Sequence, residues 1–570
     1  MNTRVVLDTA FSEERFAAAR AQGGRLHYIA MAASLPPAEA IADAGLRAAW
    51  PLNVPGFHRV ILNEDITLDL LIGAVDATLM QITALVDQFH IAADATPALA
   101  RTFARLAVQG AVLRARAADE ALVWALTAAG FACRLADDAA GGATGGAVTR
   151  APDIAAVYRG RRQQPAMARA MASQPDRRAV VIGAGLAGAS AAHRLCARGW
   201  QVTLIERHAQ PAQEASGNLA GIFMPLLSKD DNIPTRLSRA AYLFALREWH
   251  RLGGVGSAFE GQACGVLQLA RDERHAIVQQ EALATWNYPT EFARWANAQE
   301  ASTLIGAATP HGGWLFEQGG WVRPSSLCEA MLAACGDRLQ RVFNTEALSL
   351  QRIDGEWHVH GAAGASIAAA PTVIVACGAS AGGLAQAAAL PLSSLRGQVT
   401  HLSLDAAQPP PLLPLVLCRE AYVTPPSHGI VCAGATYDNH SDPSLRAESQ
   451  LENLTRLAEI IPGDAVAALA HSAPLAGRVG FRCAAPDRLP LAGALPDYEH
   501  SGRIEFLNEV PRHPGLHCLL GYASRGLIWA PLMAELLVSR LESTPPPLEA
   551  TLVDALDPGR FLLKQRRRSQ

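Results

Sequence analysis

Residues 179–206 form one continuous pattern: a β-branched run, Ala179-Val180-Val181-Ile182, then Gly183-Ala184-Gly185-Leu186-Ala187-Gly188, a helical stretch Ala189–Arg198, and a second strand, Gln201–Ile205, closed by Glu206. No other feature restricts the fold as strongly. A bare GxGxxG is often only a glycine turn. Between a strand and a helix, with an acid ending the next strand, it predicts a βαβ dinucleotide-binding unit. Gly183 permits the tight turn, Gly185 lets the backbone approach a pyrophosphate without a Cβ, and Gly188 lets helix and strand pack closely. The helix N-terminus offers N–H groups and a positive dipole end to phosphates, and Glu206 is placed to accept from a ribose diol. This unit alone leaves NAD and FAD both open.

At 570 residues the chain is too long for one core, and two to four folding units are expected at roughly 100–200 residues each. Residues 1–135 alternate strands (Val5–Leu7, Leu26–Ala30, Leu68–Ile72) with helices (Pro97–Leu106, Ala117–Ala129), the pattern of an α/β layer domain. A Gly/Ala-rich stretch, 137–150, precedes a segment carrying Arg159, Arg161, Arg162, Arg169, Arg177 and Arg178. Residues 137–176 therefore read as a surface loop plus linker. The expected organisation is an N-terminal domain over 1–158, a linker over 159–176 and a second domain over 177–570. The tail around Lys564–Arg568 reads as a frayed end.

A net charge of −3 excludes a globally basic nucleic-acid binder, so any contact with nucleic acid has to be a local patch. The N-terminus turns polar too soon for a signal peptide, and no run of 18 apolar residues predicts a membrane span. The ten cysteines are scattered without a CxxC pair, which predicts reduced buried thiols in a cytoplasmic protein and no metal site.

Later motifs point to flavin. They are Val373–Ala379 with its glycine turn at Gly378, Leu395–Val399, Arg478-Val479-Gly480-Phe481-Arg482 followed by Pro486–Pro490, and Gly521-Tyr522-Ala523-Ser524-Arg525-Gly526-Leu527 opening a C-terminal helix. With the glycine unit, their order resembles the D-amino-acid-oxidase and glycine-oxidase-like family of FAD enzymes. The resemblance implies FAD held by Gly183, Gly185, Gly188, Glu206, Ser216, Gly217, Asn218, Gly378, Gly521, Ser524, Gly526 and Leu527. Hydride transfer from a carbon next to nitrogen needs a substrate held over the ring. A carboxylate on that substrate suits a two-pronged arginine. By position within the family motif Arg482 is the first choice for this clamp, with Arg478 and Arg525 as second choices.

A closer resemblance rests on Glu214-Ala215-Ser216-Gly217-Asn218-Leu219-Ala220-Gly221 through Ser228, Gly319–Pro324, Tyr422–Pro425 and Gly434–Tyr437. In the N-terminal part it rests on Trp50–Arg59, Leu68–Val75 and a helix over 123–131. These segments resemble the bifunctional tRNA 5-methylaminomethyl-2-thiouridine biosynthesis family, MnmC. That resemblance implies a Rossmann-like methyltransferase-type N-terminal domain and a D-amino-acid-oxidase-like FAD domain with a mixed-sheet substrate subdomain. It implies tRNA as partner, oxidative removal of the carboxymethyl group from 5-carboxymethylaminomethyl uridine at position 34, and S-adenosylmethionine as second cofactor. The chain departs from the family at the S-adenosylmethionine turn. Asp8-Thr9-Ala10-Phe11-Ser12-Glu13-Glu14 holds no glycine where the family has E-x-G-F-G-T-G, the strand before it starts almost at Met1, and Asp94 is the one acid matching the later acidic motif. Loss of methyl transfer is the expectation. Three other readings stay open: a fully bifunctional enzyme that also methylates to 5-methylaminomethyl-2-thiouridine, a small-molecule glycine or amine oxidase with a vestigial N-terminal domain, and an N-terminal tRNA-docking module using Arg159, Arg161, Arg162 and Arg566–Arg568.

Overall fold

The computed structural model describes residues 3–92, 96–116, 118–135, 153–160, 176–403, 413–461 and 475–568. Asp94, Arg161, Arg162 and Arg169 lie outside them. The chain divides into two compact units, Met1–Pro175 with Ser539–Val553, and Asp176–Val538 with Asp554–Gln570.

The first unit is built on an eight-stranded sheet in the order Gly56–Ile61, Ile66–Ile72, Leu26–Ala32, Arg4–Asp8, Val86–Ile91, Ala107–Ala115, Ile154–Tyr158, Phe131–Leu135. The five strands from Ile66–Ile72 to Ala107–Ala115 run parallel. Gly56–Ile61 and Ile154–Tyr158 are antiparallel to their neighbours. Strand alternation sends Val5, Leu7, Ile29 and Met31 to one core and Val6, Tyr28 and Ala30 to the other. Both faces are therefore covered, and Ile66–Ile72 is buried along its whole length, as parallel sheets require. The strand order reverses at Arg4–Asp8, so the crevice beyond its carboxyl end is where such a sheet takes a ligand.

The strands read from the sequence are all present. Three expectations are corrected. Ile154–Tyr158, read as part of a loop and linker, is a strand inside the sheet. The helix expected over 123–131 spans Glu120–Ala128, started by Asp119 accepting from Leu122 N–H, and Phe131 opens the next strand after Gly130 turns at φ +101°. The tail is not frayed over its described length: Arg560–Arg568 is a helix with Leu562 buried and Arg566 donating to the His500 carbonyl at 2.8 Å.

In the second unit a six-stranded sheet runs Leu339–Val342, Gln201–Ile205, Arg178–Ile182, Thr372–Val375, Arg512–Leu520, Leu491–Pro496. It is parallel except for the last pair. Beside it stands an eight-stranded mixed sheet whose longest pair, Ser393–Ser403 and Ala476–Ala484, is antiparallel with Leu395 opposite Arg482 and Val399 opposite Arg478. This is the expected dinucleotide layer with a mixed-sheet subdomain. Among the described residues no helix is long and apolar enough to cross a membrane.

Candidate active site

The glycine turn joins Arg178–Ile182 to the helix Leu186–Ala197. Gly183 has φ +102°, and a Cβ there would lie 2.8 Å from both the Ala376 carbonyl oxygen and Cys377 Cα. The second glycine turn thus packs directly on the first. A Cβ at Gly188 would overlap the Gly183 carbonyl, so Gly188 serves the close approach of helix and strand and is not itself in the cavity wall. At Gly185 the added atom would meet only the Ser216 side chain, its Oγ at 3.1 Å. Ser216 Oγ accepts from Leu186 N–H at 3.1 Å and ties the segment after the second strand to the helix start. Glu206 is buried, with one oxygen accepting from Ala184 N–H at 2.7 Å and the other from His208 N–H at 3.0 Å.

These turns open on one cavity of about 780 Å³. Of the residues singled out in the sequence, Gly183, Gly185, Glu206, Ser216, Asn218, Gly378, Arg482, Gly521, Ser524, Arg525, Gly526 and Leu527 all line it. Gly378 (φ +58°) and Gly521 (φ +75°) both occupy the conformation that favours glycine. Gly526 begins the helix Gly526–Leu541, whose N–H end faces the same space. A buried acid at the end of the second strand, a wall stripped of Cβ atoms and two helix N-termini together fit a long, doubly phosphorylated dinucleotide.

The arginines separate cleanly. Arg478 does not line the cavity. Its Nη2 donates to the Gln213 and Glu214 carbonyls at 2.6 and 2.8 Å, and a Cβ on Gly217 would run into its guanidinium. Arg478 and Gly217 lock the 213–217 turn from behind, and burial lowers the Arg478 pKa. Arg482 and Arg525 both reach the cavity, and among the described residues neither has a carboxylate partner. Arg482 donates to the Thr436 carbonyl at 3.3 Å and stacks on the Tyr437 ring, 4.4 Å from guanidinium carbon to ring centre. Arg525 has one long contact, 3.4 Å to the Met224 carbonyl, and burial lowers its pKa. Two uncompensated cations in one cavity favour an anionic substrate. Sequence reasoning missed Tyr437 as a site residue; its one signal was an aromatic next to a motif threonine.

In the first unit the turn that follows Arg4–Asp8 bonds to its own neighbours. Thr9 N–H donates to the His90 carbonyl at 2.9 Å, Ala10 N–H to Asp8 Oδ1 at 3.2 Å, and Phe11 N–H to the Met31 carbonyl at 2.8 Å. Ser12 caps the following helix by accepting from Arg15 N–H at 3.3 Å. The Arg15 guanidinium folds over the turn onto Asp8, at 2.8 and 3.1 Å, and onto the Ala10 carbonyl. Tyr28 Oη donates to the same Asp8 at 2.7 Å. Three main-chain donors of this turn, at Thr9, Ala10 and Phe11, are thus taken up within the chain.

Residues 178–540 match the family described as FAD dependent oxidoreductase. The curated tRNA 5-methylaminomethyl-2-thiouridine biosynthesis bifunctional protein MnmC of Paraburkholderia phytofirmans is 40% identical over 553 residues, covering 94% of this chain and 83% of that protein. The chain belongs to the MnmC family. Its second unit is an FAD-dependent oxidoreductase of the kind that acts on CH–NH groups. Among solved structures, iminodiacetate oxidase from Chelativorans sp. BNC1 is 26% identical with a TM-score of 0.54, covering 65% of this chain and 96% of that one. Glycine oxidase from Geobacillus kaustophilus shares the fold at 21% identity, with a TM-score of 0.54 over 67% of this chain and 99% of that one. The match to MnmC reaches into the first unit, whose strand order is that of a Rossmann-like methyltransferase domain and whose turn over residues 8–14 contains no glycine.

Proposed function

We propose that this member of the MnmC family oxidises the 5-carboxymethylaminomethyl group of the wobble uridine of tRNA, in the cytoplasm, and has lost the methylation that follows. The observation that carries the reading is the pair Arg482 and Arg525, two cations without an acid partner in the cavity that the glycine turns enclose. Arg482 grips the substrate carboxylate in two parallel bonds, and Arg525 adds positive charge beside it. That grip fixes the methylene between nitrogen and carboxylate against the Gly521–Leu527 wall. When bound, FAD supplies the two-electron acceptor for the hydride that leaves this methylene. The substrate imine so formed is split by water, which releases glyoxylate and leaves 5-aminomethyl uridine. The N–H end of the Gly526–Leu541 helix stabilises negative charge that develops on that side of the cavity.

Two relatives support the substrate. The curated relatives are named for biosynthesis of a tRNA 5-methylaminomethyl-2-thiouridine. Iminodiacetate, the compound that names the Chelativorans oxidase, carries the same N–CH2–carboxylate group. Loss of methylation is supported by the absence of glycine from residues 8–14 and by the Arg15 guanidinium, which covers Asp8 and the Ala10 carbonyl there.

The test is nucleoside mass spectrometry of tRNA from a strain lacking the gene, with and without the gene restored. The reading requires 5-carboxymethylaminomethyl uridine to be replaced by the 5-aminomethyl form on restoration. Unchanged nucleosides together with turnover of free glycine would move the assignment to a small-molecule amine oxidase. Methylated product that depends on the restored gene would reinstate the full bifunctional activity.

A further inference from the structure

Tyr437 is a large aromatic left 55% exposed on the wall of the cavity. The backbone on either side of it is not free to move. Thr436 N–H donates to the Gln398 carbonyl at 3.2 Å and Thr436 Oγ1 accepts from Gln398 N–H at 3.0 Å. On the other side Asp438 N–H donates to the Arg396 carbonyl at 3.1 Å, Arg396 N–H returns a bond at 2.9 Å, and the Arg396 guanidinium reaches the Asp438 carboxylate at 3.2 Å. Arg396 itself is fully buried, and so is Thr436. The central strand Ser393–Ser403 therefore pins residues 436 and 438 and leaves the ring between them presented outward.

The ring also sits on Arg482, 4.4 Å from the guanidinium carbon. The four bonds from a bound carboxylate carbon to pyrimidine C5 of the proposed substrate span roughly 5 Å at ordinary bond lengths. A substrate gripped by Arg482 thus has its base within reach of the Tyr437 ring. Every base has a π-face, and aromatic side chains on a rigid backbone are the usual platform for an unstacked one.

We propose that Tyr437 is a positioning and specificity residue, stacking the pyrimidine that carries the reacting amine. The free surface of its ring holds the base while the Arg482 side holds the carboxylate end. This rests on the tRNA reading above and adds to it the means by which a nucleoside-borne amine is preferred to a free amino acid.

The experiment is anaerobic flavin reduction by the full-length holoenzyme, with two substrates run in parallel: tRNA bearing 5-carboxymethylaminomethyl uridine, and iminodiacetate, which has the carboxylate and amine without a base. Tyr437→Ala should raise KM for the tRNA by roughly 10-fold more than KM for iminodiacetate, with the limiting reduction rate on tRNA changed less than its KM. Tyr437→Phe, which keeps the ring, should restore the wild-type ratio. Equal losses on both substrates in Tyr437→Ala would show that the ring only supports Arg482, and an unchanged KM for tRNA would also overturn the role. A wild-type enzyme whose flavin is reduced by iminodiacetate and never by tRNA overturns the substrate reading, and this role with it.

Discussion

Gly183→Ala gives the sharpest test of how the two glycine turns are built. The residue sits at φ +102°, and the added methyl would lie 2.8 Å from the Ala376 oxygen and 2.8 Å from Cys377 Cα. Carbon rests at about 3.3 Å or more from such an oxygen, and at about 3.5–4.0 Å from another carbon. The two turns must therefore part by about half an ångström or more, and the obstacle is main chain that cannot rotate away. The left-handed conformation costs an alanine ~1–2 kcal/mol, and overpacking adds ~1–3 kcal/mol. Gly355→Ala is the control. Gly355 has φ +89° in a hairpin turn away from the cavity, and nothing lies within 4 Å of its added Cβ, so it meets the conformational cost alone. The unit holds about 380 residues. At roughly 2.1 cal/mol/K per residue, each kcal/mol is then worth about 1.3 °C. Calorimetry should give a Tm loss of about 2 °C for Gly355→Ala with full flavin absorbance. Gly183→Ala should lose about 3–6 °C and most of its flavin, because the parted turns no longer shape the cofactor wall. Equal Tm losses and equal flavin content in the two proteins would refute the contact between the turns.

Three further outcomes follow from the same geometry. Arg482→Lys keeps the charge but not the fork, so single-turnover flavin reduction should slow or KM should rise by roughly 10–100-fold; an unaffected rate would shift the clamp to Arg525. Titration calorimetry of S-adenosylmethionine into the full-length protein should show no binding, and micromolar binding with methyl transfer to 5-aminomethyl-uridine tRNA would overturn the loss of methylation. In the first unit burial pushes the Asp69 carboxyl up, but Arg59 and His27 outweigh it and hold it at about 2. Its folded pKa is below the unfolded value, so its stabilisation is complete above about pH 4 and is lost as pH falls toward 2, on the order of 2 kcal/mol. The stability gap between wild type and Asp69→Asn, from urea denaturation at pH 5 and pH 2.5, should shrink in acid; a constant gap would contradict this.

The dinucleotide unit was legible because everything that defines it lies within some thirty residues, and each glycine answers a local steric demand. The arginine clamp was legible only as a set. Arg478 and Arg482 lie four residues apart on one strand, so alternation puts both on the same face. What divides them is a bond from Arg478 to Gln213 and Glu214, more than 260 residues away in sequence. The strand Ile154–Tyr158 was hidden because its neighbours in sequence are low-complexity and arginine-rich, while its partners are Ala107–Ala115 and Phe131–Leu135. The C-terminal arginines looked like a solvated tail because the contact that orders them, Leu562 in a small core with Ile504 and Val510, carries no signal in the run itself.

The first unit is discontinuous, and this bears on when it can fold. Arg59 is buried and donates to Ser539 Oγ at 2.8 Å and to the Pro545 carbonyl at 2.6 Å, while Ala550 N–H donates to the Gln81 carbonyl at 2.9 Å. These acceptors and donors leave the ribosome more than 450 residues after Arg59 and Gln81. The N-terminal residues must wait for them, unfinished, through the synthesis of some 360 residues of the other unit. Without residues 1–175 the segment Ser539–Val553 would lack its partners, and without that segment Arg59 would lose two of its acceptors. The first unit is thereby tied to the oxidase in one chain, because its last segment, Ser539–Val553, follows the body of the second unit.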